Sequence, residues 1–88
     1  MDVVLMDSKI KQINEMIEHL IGDTTVPKNI RKVLTEANGR LKGAEEPIVK
    51  ASAAIYLIES ISDDINMPAH ARTQIWGIIS ALEGLKNQ

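Results

Sequence analysis

The sequence predicts an all-α fold, a four-helix bundle built from two αα-hairpins. Three observations carry that expectation. Apolar residues recur at helical spacing in four separate stretches. Pro27, Pro47 and Pro68 stand where the last three of those stretches begin, a place where a missing N–H costs nothing. The chain also partly repeats itself at a shift of 41 residues, as one hairpin followed by another would.

The first helix is expected from about residue 3 to Ile21. Val3, Met6, Ile10, Ile13, Ile17 and Leu20 form a two-position heptad seam, widened by Val4, Leu5, Met16 and Ile21. The seam is short for a coiled coil and reads better as a core-facing stripe. Gly22 is a natural residue just past the helix end. In the turn that follows, Thr25 is a good N-cap type, with Pro27 in the first turn of helix two. That helix runs to about Leu41, with Ile30, Val33, Leu34, Ala37 and Leu41 inward, and Gly43 closes it. Gly39 inside it should weaken the last turns by about 1 kcal/mol relative to Ala.

Pro47 to Ser62 is the most apolar stretch and is expected as the central helix. Ile48, Ala51, Ile55 and Ile58 form one stripe, and Ala54, Leu57 and Ile61 another. Its only charges are Lys50 and Glu59. A helix that apolar is normally buried between other helices. Glu45 and Glu46 precede it, at the positive end of its dipole. The fourth helix runs from about Pro68 to Leu85, burying Ala71, Ile75, Ile78, Ile79, Leu82 and Leu85, with Trp76 beside the stripe and Lys86-Asn87-Gln88 fraying.

Length and composition limit the function classes. The 88 residues suffice for one helical domain spanning 1–88, with hairpins over about 3–42 and 47–86. Hydrophobic residues make up 44% and charged residues 25%, ordinary globular usage. Tyr56 and Trp76 are the only aromatics, so the core is aliphatic, and base stacking is not the main mode of holding a single-stranded nucleic acid. A net charge of −2 creates no field toward nucleic acid or acidic membranes. The absence of cysteine excludes disulfides and thiolate zinc sites, and is compatible with a reducing compartment. No apolar run approaches the roughly 20 residues of a membrane span. Val3-Val4-Leu5-Met6 is too short for a signal-peptide core, and Asp2 has the wrong charge for its leading end. A cytoplasmic location is therefore expected.

At the shift of 41, Ile17-Glu18 aligns with Ile58-Glu59, Asp23 with Asp64, Pro27 with Pro68, Arg31 with Arg72 and Leu41 with Leu82. Thr25 and Asn66, both N-cap types, stand two residues before their prolines. The period falls in the range of HEAT-type repeats. The Asp…Pro…Arg arrangement resembles the turn of a HEAT unit. That resemblance implies that Asp23, Arg31, Asp64 and Arg72 are structural, the Asp and Arg side chains joining neighbouring repeats. Two units are too few for a solenoid, so the hairpins are expected to close on each other or stack with another copy.

Over essentially its whole length the chain resembles a family of small archaeal proteins catalogued only as an uncharacterised protein family, UPF0147. Ile-Gly-Asp-Thr-Thr-Val-Pro and Asn-Met-Pro-Ala-His-Ala-Arg carry the resemblance most clearly. It implies an archaeal source and an all-helical bundle. It implies no activity and offers no catalytic motif to transfer.

The residues themselves assemble no catalytic constellation. Ser52, Ser60, Ser62 and Ser80 lack a glycine elbow. His19 lies beside the apolar stripe of helix one, and His70 lies near Asp63 and Asp64 in sequence. Neither has a second histidine at ligand spacing, so no metal and no cofactor is expected. Glu45-Glu46 and Asp63-Asp64 are adjacent in turns and do not offer carboxyls in two different environments. Asp64 is expected to support the start of helix four. Lys28, Arg31, Lys32, Arg40 and Lys42 gather half of the ten basic residues in one helix, opposed by Glu36 alone. They form a candidate polyanion-binding face. The competing reading is a solvated helix face with Arg31 used internally. The expected function is therefore a non-enzymatic protein–protein interaction module, a second copy of the chain being one candidate partner. The alternative is an accessory nucleic-acid binder using the basic face of helix two.

Overall fold

The computed structural model describes residues 3–87, and side chains from Val4 onward. Val3 as the first residue of the seam, Asp2 and the fraying expected of Gln88 lie outside the described side chains. Four α-helices follow in order: α1 (Val3–Ile21), α2 (Lys28–Leu41), α3 (Pro47–Glu59) and α4 (Ala69–Lys86). Among the described residues there is no strand. Each helix packs against its neighbours in sequence, and α4 returns to α1, which closes the ring. The extents of 38 × 19 × 17 Å are those of two helices by two, each about 10 Å across.

The core is one aliphatic cluster along the ring axis. Met6, Ile10, Ile13, Ile17 and Leu20 enter it from α1, so the heptad seam is spent inside the bundle. Ile30, Leu34, Ala37 and Leu41 come from α2, and Ala71, Ile75, Ile78, Leu82 and Leu85 from α4, while Val33 and Ile79 are only partly buried. Ala51, Ala54, Ile55 and Ile58 of α3 complete it, with Val26, Ile61 and Met67 sealing the turns. These side chains account for most of the hydrophobic stabilisation, at roughly 1.5–3 kcal/mol for each large aliphatic residue.

The central helix departs from expectation in two ways. It packs between α2 and α4, yet Ile48, expected in its inward stripe, is exposed with Val49 and Tyr56 on its outer side. It also ends at Glu59 and not at Ser62. There the amides of Ser60, Ile61 and Ser62 turn to i→i+3 bonds, and the hydroxyls of Ser60 and Ser62 donate to the carbonyls of Leu57 and Glu59. Serine hydroxyls compete in this way with helical bonding. Lys50, expected as one of the helix's few charges, is buried to 9% exposure, and its Nζ donates to the Gly43 carbonyl at 3.1 Å. That carbonyl lies just beyond the C-terminus of α2, where a cation is favoured.

Both Pro-containing turns depart from the expected capping. Pro27 and Pro68 are N-cap residues, extended at φ −56°, ψ 150° and φ −59°, ψ 149°, and neither helix has a side-chain cap. Thr25 does not cap α2; its N–H and hydroxyl both donate to Asp23 Oδ1, at 2.9 and 2.6 Å. The carboxylate outcompetes the helix end because it accepts two bonds at once from the same residue. No described glycine has positive φ, so Gly22 and Gly43 close their helices through ordinary right-handed turns. Lys86 remains helical.

Candidate functional site

One end of the bundle is built from the two Pro turns. Asp23 and Asp64 each accept a hydrogen bond from the amide two residues on, Thr25 at 2.9 Å and Asn66 at 2.8 Å. The amides of Val26 and Met67 bond back to the carbonyls of Asp23 and Asp64. Each aspartate then reaches across to the other hairpin. His70 Nε2 meets Asp23 Oδ2 at 2.8 Å, and Asn29 Nδ2 donates to Asp64 Oδ2 at 3.2 Å. His70 and Asn29 are equivalent under the shift of 41, so the two cross-links form a matched pair. His70 therefore serves Asp23, not the neighbouring Asp63 and Asp64 that its place in sequence suggested.

The HEAT-like expectation is corrected at the arginines. Arg31 Nε donates to the Val26 carbonyl at 3.0 Å, and Arg72 to the Asp64 carbonyl at 3.1 Å. Each arginine braces its own turn, and the hairpins are joined by His70 and Asn29. Asp64 supports the approach to α4 through these bonds.

Thr25, His70 and Asp23 invite comparison with a hydroxyl–imidazole–carboxylate triad. The arrangement cannot work as one. A triad places the hydroxyl on one ring nitrogen and the carboxylate on the other. Here Thr25 Oγ1, at 3.4 Å, and Asp23 both face Nε2, and the Thr25 proton is already donated to Asp23. These donors hold the Asp23 carboxyl at about 2, the Thr25 hydroxyl contributing most and His70 next.

The opposite end holds a cleft of about 430 Å³ between α1, α2 and α3, lined among others by Asp7, Asn14, Glu18, Lys42 and Lys50. Asn14 is buried, a polar residue in α1 that periodicity alone did not single out. Acids and bases alternate around the cleft. Glu18 is bound by Lys42 at 2.8 Å and by Asn38 at 3.1 Å, which together lower its pKa, Lys42 first. His19 lies exposed in a second cleft, of about 350 Å³, beside Gln12, Glu15, Met16 and Gln74. Among the described residues no group of three or more His, Asp or Glu side chains could hold a metal ion.

Of the five candidate basic residues, four lie in α2 and Lys42 is its C-cap residue. Arg31 is turned to Val26, Arg40 pairs with Glu45 at 3.2 Å, and Lys42 pairs with Glu18. Lys28 and Lys32 remain exposed at the start of the helix.

The larger exposed feature is apolar. Val49, Ser52, Ala53 and Tyr56 follow one another at helical spacing along the outer side of α3, flanked by Ile48 and Leu57. Tyr56 is 78% exposed, and on α4 Trp76 is 61% exposed. The two charges of α3 do not interrupt the strip, since Lys50 points inward and Glu59 is the last helical residue.

These features define a small all-α protein, a bundle of two matched hairpins cross-linked at their turns. The chain belongs to UPF0147, an uncharacterised protein family whose model matches residues 2–85. It is 49% identical over 78 residues to a UPF0147 protein of Methanocaldococcus jannaschii, covering 88% of this chain and 84% of that one. It is 43% identical over 90 residues to a UPF0147 protein of Pyrococcus furiosus, covering 97% of each. Among solved structures, the unknown-function protein MMP1188 superposes with a TM-score of 0.81 at 49% identity, over 85% of this chain and 86% of that chain. A UPF0147 protein from Thermoplasma acidophilum superposes with a TM-score of 0.83 at 32% identity, over 91% and 96%. The family is one of unknown function, and its relatives here are archaeal. No described helix is long and apolar enough to cross a membrane.

Proposed function

We propose that this chain is a small non-enzymatic protein–protein interaction module whose contact surface is the outer face of α3. The observation that carries this reading is the charge-free strip Val49–Ser52–Ala53–Tyr56, exposed at Val49 and Tyr56 and half-buried at Ser52 and Ala53. Its support is strengthened by the polar groups elsewhere. The turn carboxylates are bonded to His70 and Asn29, Arg31 and Arg72 to backbone carbonyls of their own turns, and Lys42 to Glu18. The proposal includes a cytoplasmic location, with which a cysteine-free chain of ordinary globular composition is compatible.

The test places a photoreactive residue at position 56 in native cells, and separately at position 15, which the repeat makes its equivalent on α1. Protein adducts at 56 and none at 15 are expected. Equal labelling at both positions, or none at 56, overturns the reading.

A further inference from the structure

Of the five asparagines in the chain, Asn38 alone is followed by glycine. An asparagine in that position is chemically labile. The amide nitrogen of the next residue can attack the side-chain carbonyl carbon, and glycine leaves that nitrogen open because it has no Cβ. Packing does not dictate the pair. A Cβ at Gly39 would meet nothing within 4 Å. Under the shift of 41, Asn38-Gly39 corresponds to Ile79-Ser80, which hold the same place in α4.

The folded chain withholds each thing the reaction needs. Both residues lie in the last turn of α2, where the helical pattern ties the Gly39 N–H to the Thr35 carbonyl. Closing a ring on that nitrogen requires the backbone at Asn38 to leave its helical dihedrals. The side chain is held as well. Its leaving group, Nδ2, donates to Glu18 Oε2 of α1 at 3.1 Å. Its Oδ1, on which negative charge develops as the nitrogen attacks, is buried and has no hydrogen-bond partner among the described residues. A charge growing there finds neither water nor a donor, the reverse of an oxyanion hole.

From these restraints we infer that Asn38-Gly39 is a guarded deamidation site, separate from the α3 face, silent in the closed bundle and released when the end of α2 opens. The Gly39 nitrogen forms a bond to Asn38 Cγ and gives up its proton. The Cγ–Nδ2 bond breaks, and Nδ2 takes a proton and leaves as ammonia. Water then adds to one carbonyl of the cyclic imide and opens it, leaving aspartate or isoaspartate at position 38. No oxidant or reductant takes part. The product does not restore the guard. A carboxylate at 38 has no N–H to give Glu18 and sets a second negative charge beside it, with Lys42, at 2.8 Å from Glu18, left to serve both. The isoaspartate form adds a methylene to the main chain, which interrupts the hydrogen-bond ladder of α2. An opening of α2 is thus recorded in the covalent structure and is not reversed on closing.

The experiment incubates the purified full chain in mildly alkaline buffer, folded and in concentrated urea, and follows each asparagine by peptide mass spectrometry. In urea Asn38 is expected to convert at least about tenfold faster than in the folded chain. It should also convert faster there than Asn14, Asn29, Asn66 and Asn87. Gly39→Ala should slow the reaction in urea, since a Cβ then crowds the attacking nitrogen. Glu18→Ala, with folding checked by circular dichroism, should speed conversion in native buffer and leave the rate in urea unchanged. Equal rates for the folded and urea-treated wild type overturn the guard. A urea rate at Asn38 no higher than at the other asparagines overturns the site, and a folded Glu18→Ala chain that converts no faster than wild type overturns the part given to Glu18. Chains converted in urea and returned to native buffer should unfold at lower denaturant concentration than unconverted chains taken through the same steps. An unchanged midpoint overturns the one-way record.

Discussion

Helices α1 and α3 occupy equivalent places in the two hairpins and agree on the inside but not on the outside. Each feeds aliphatic side chains to the same core and packs against both α2 and α4. Outside, α1 presents Asp7, Lys11 and Glu15 where α3 presents Ile48, Ser52 and Tyr56. The second hairpin continues the difference, with Ile65 and Trp76 exposed where the first has Thr24 and Thr35. Although α1 also exposes Val4, Leu5 and Met16, two helices that meet one packing requirement with different residues at equivalent outer positions separate what folding needs from what it leaves open. Folding constrains the core stripe, and the remainder of each helix is available for other uses.

The agreement inside is open to the harshest test. Ile17→Ala and Ile58→Ala should each cost about 2–5 kcal/mol of unfolding free energy by denaturant titration, with similar values for both, since both side chains are fully buried. A small loss at one site would break the equivalence. A second test addresses Lys9 and Lys50, which the repeat also aligns. Lys50→Ala removes a buried ammonium bonded to the Gly43 carbonyl and should cost about 1–2 kcal/mol. Lys9→Ala, at a partly exposed position, should cost less than about 0.5 kcal/mol. Gly39→Ala should raise stability by about 1 kcal/mol, because a methyl group there meets nothing within 4 Å while the helix gains propensity. Tyr56→Glu, which copies the α1 residue onto α3, should leave the unfolding free energy within about 0.5 kcal/mol of wild type.

The two turns offer a last, finer contrast. The Asp23 carboxyl titrates at about 2 in the folded chain, below the roughly 3.9 of an unfolded one. A lowered folded value means that the ionised carboxylate favours folding. The contribution is complete above about pH 4 and is lost as pH falls towards 2. Thermal unfolding followed across that window should show the loss in wild type, and a flatter profile in Asp23→Asn.

The four helices were legible because each carries an apolar stripe at helical spacing, which local sequence expresses directly. The cross-links were not. Asp23 and His70 are 47 residues apart, and the sequence offered Asp63 and Asp64 as nearer partners for the histidine. Thr25 was misread as a cap because an N-cap preference takes no account of a competing carboxylate two residues away. The candidate basic face was visible as a count of charges, and counting cannot reveal that Arg40 and Lys42 reach carboxylates from other segments. Apolar content suggested a helix buried between others, and α3 does pack between α2 and α4. Its exposed strip becomes visible only when the direction of each side chain is known.

By itself, then, the sequence determined the number of helices, their approximate limits, most of the inward residues and the near-repeat of the two hairpins. Helical periodicity and turn chemistry act over a few residues and survive in one dimension. The tertiary structure decided which helices touch, which carboxylate receives which donor and which side of α3 is left uncovered. Those outcomes depend on the closing of the ring, because covering a helix face requires a neighbour, and α3 packs mainly against α2 and α4.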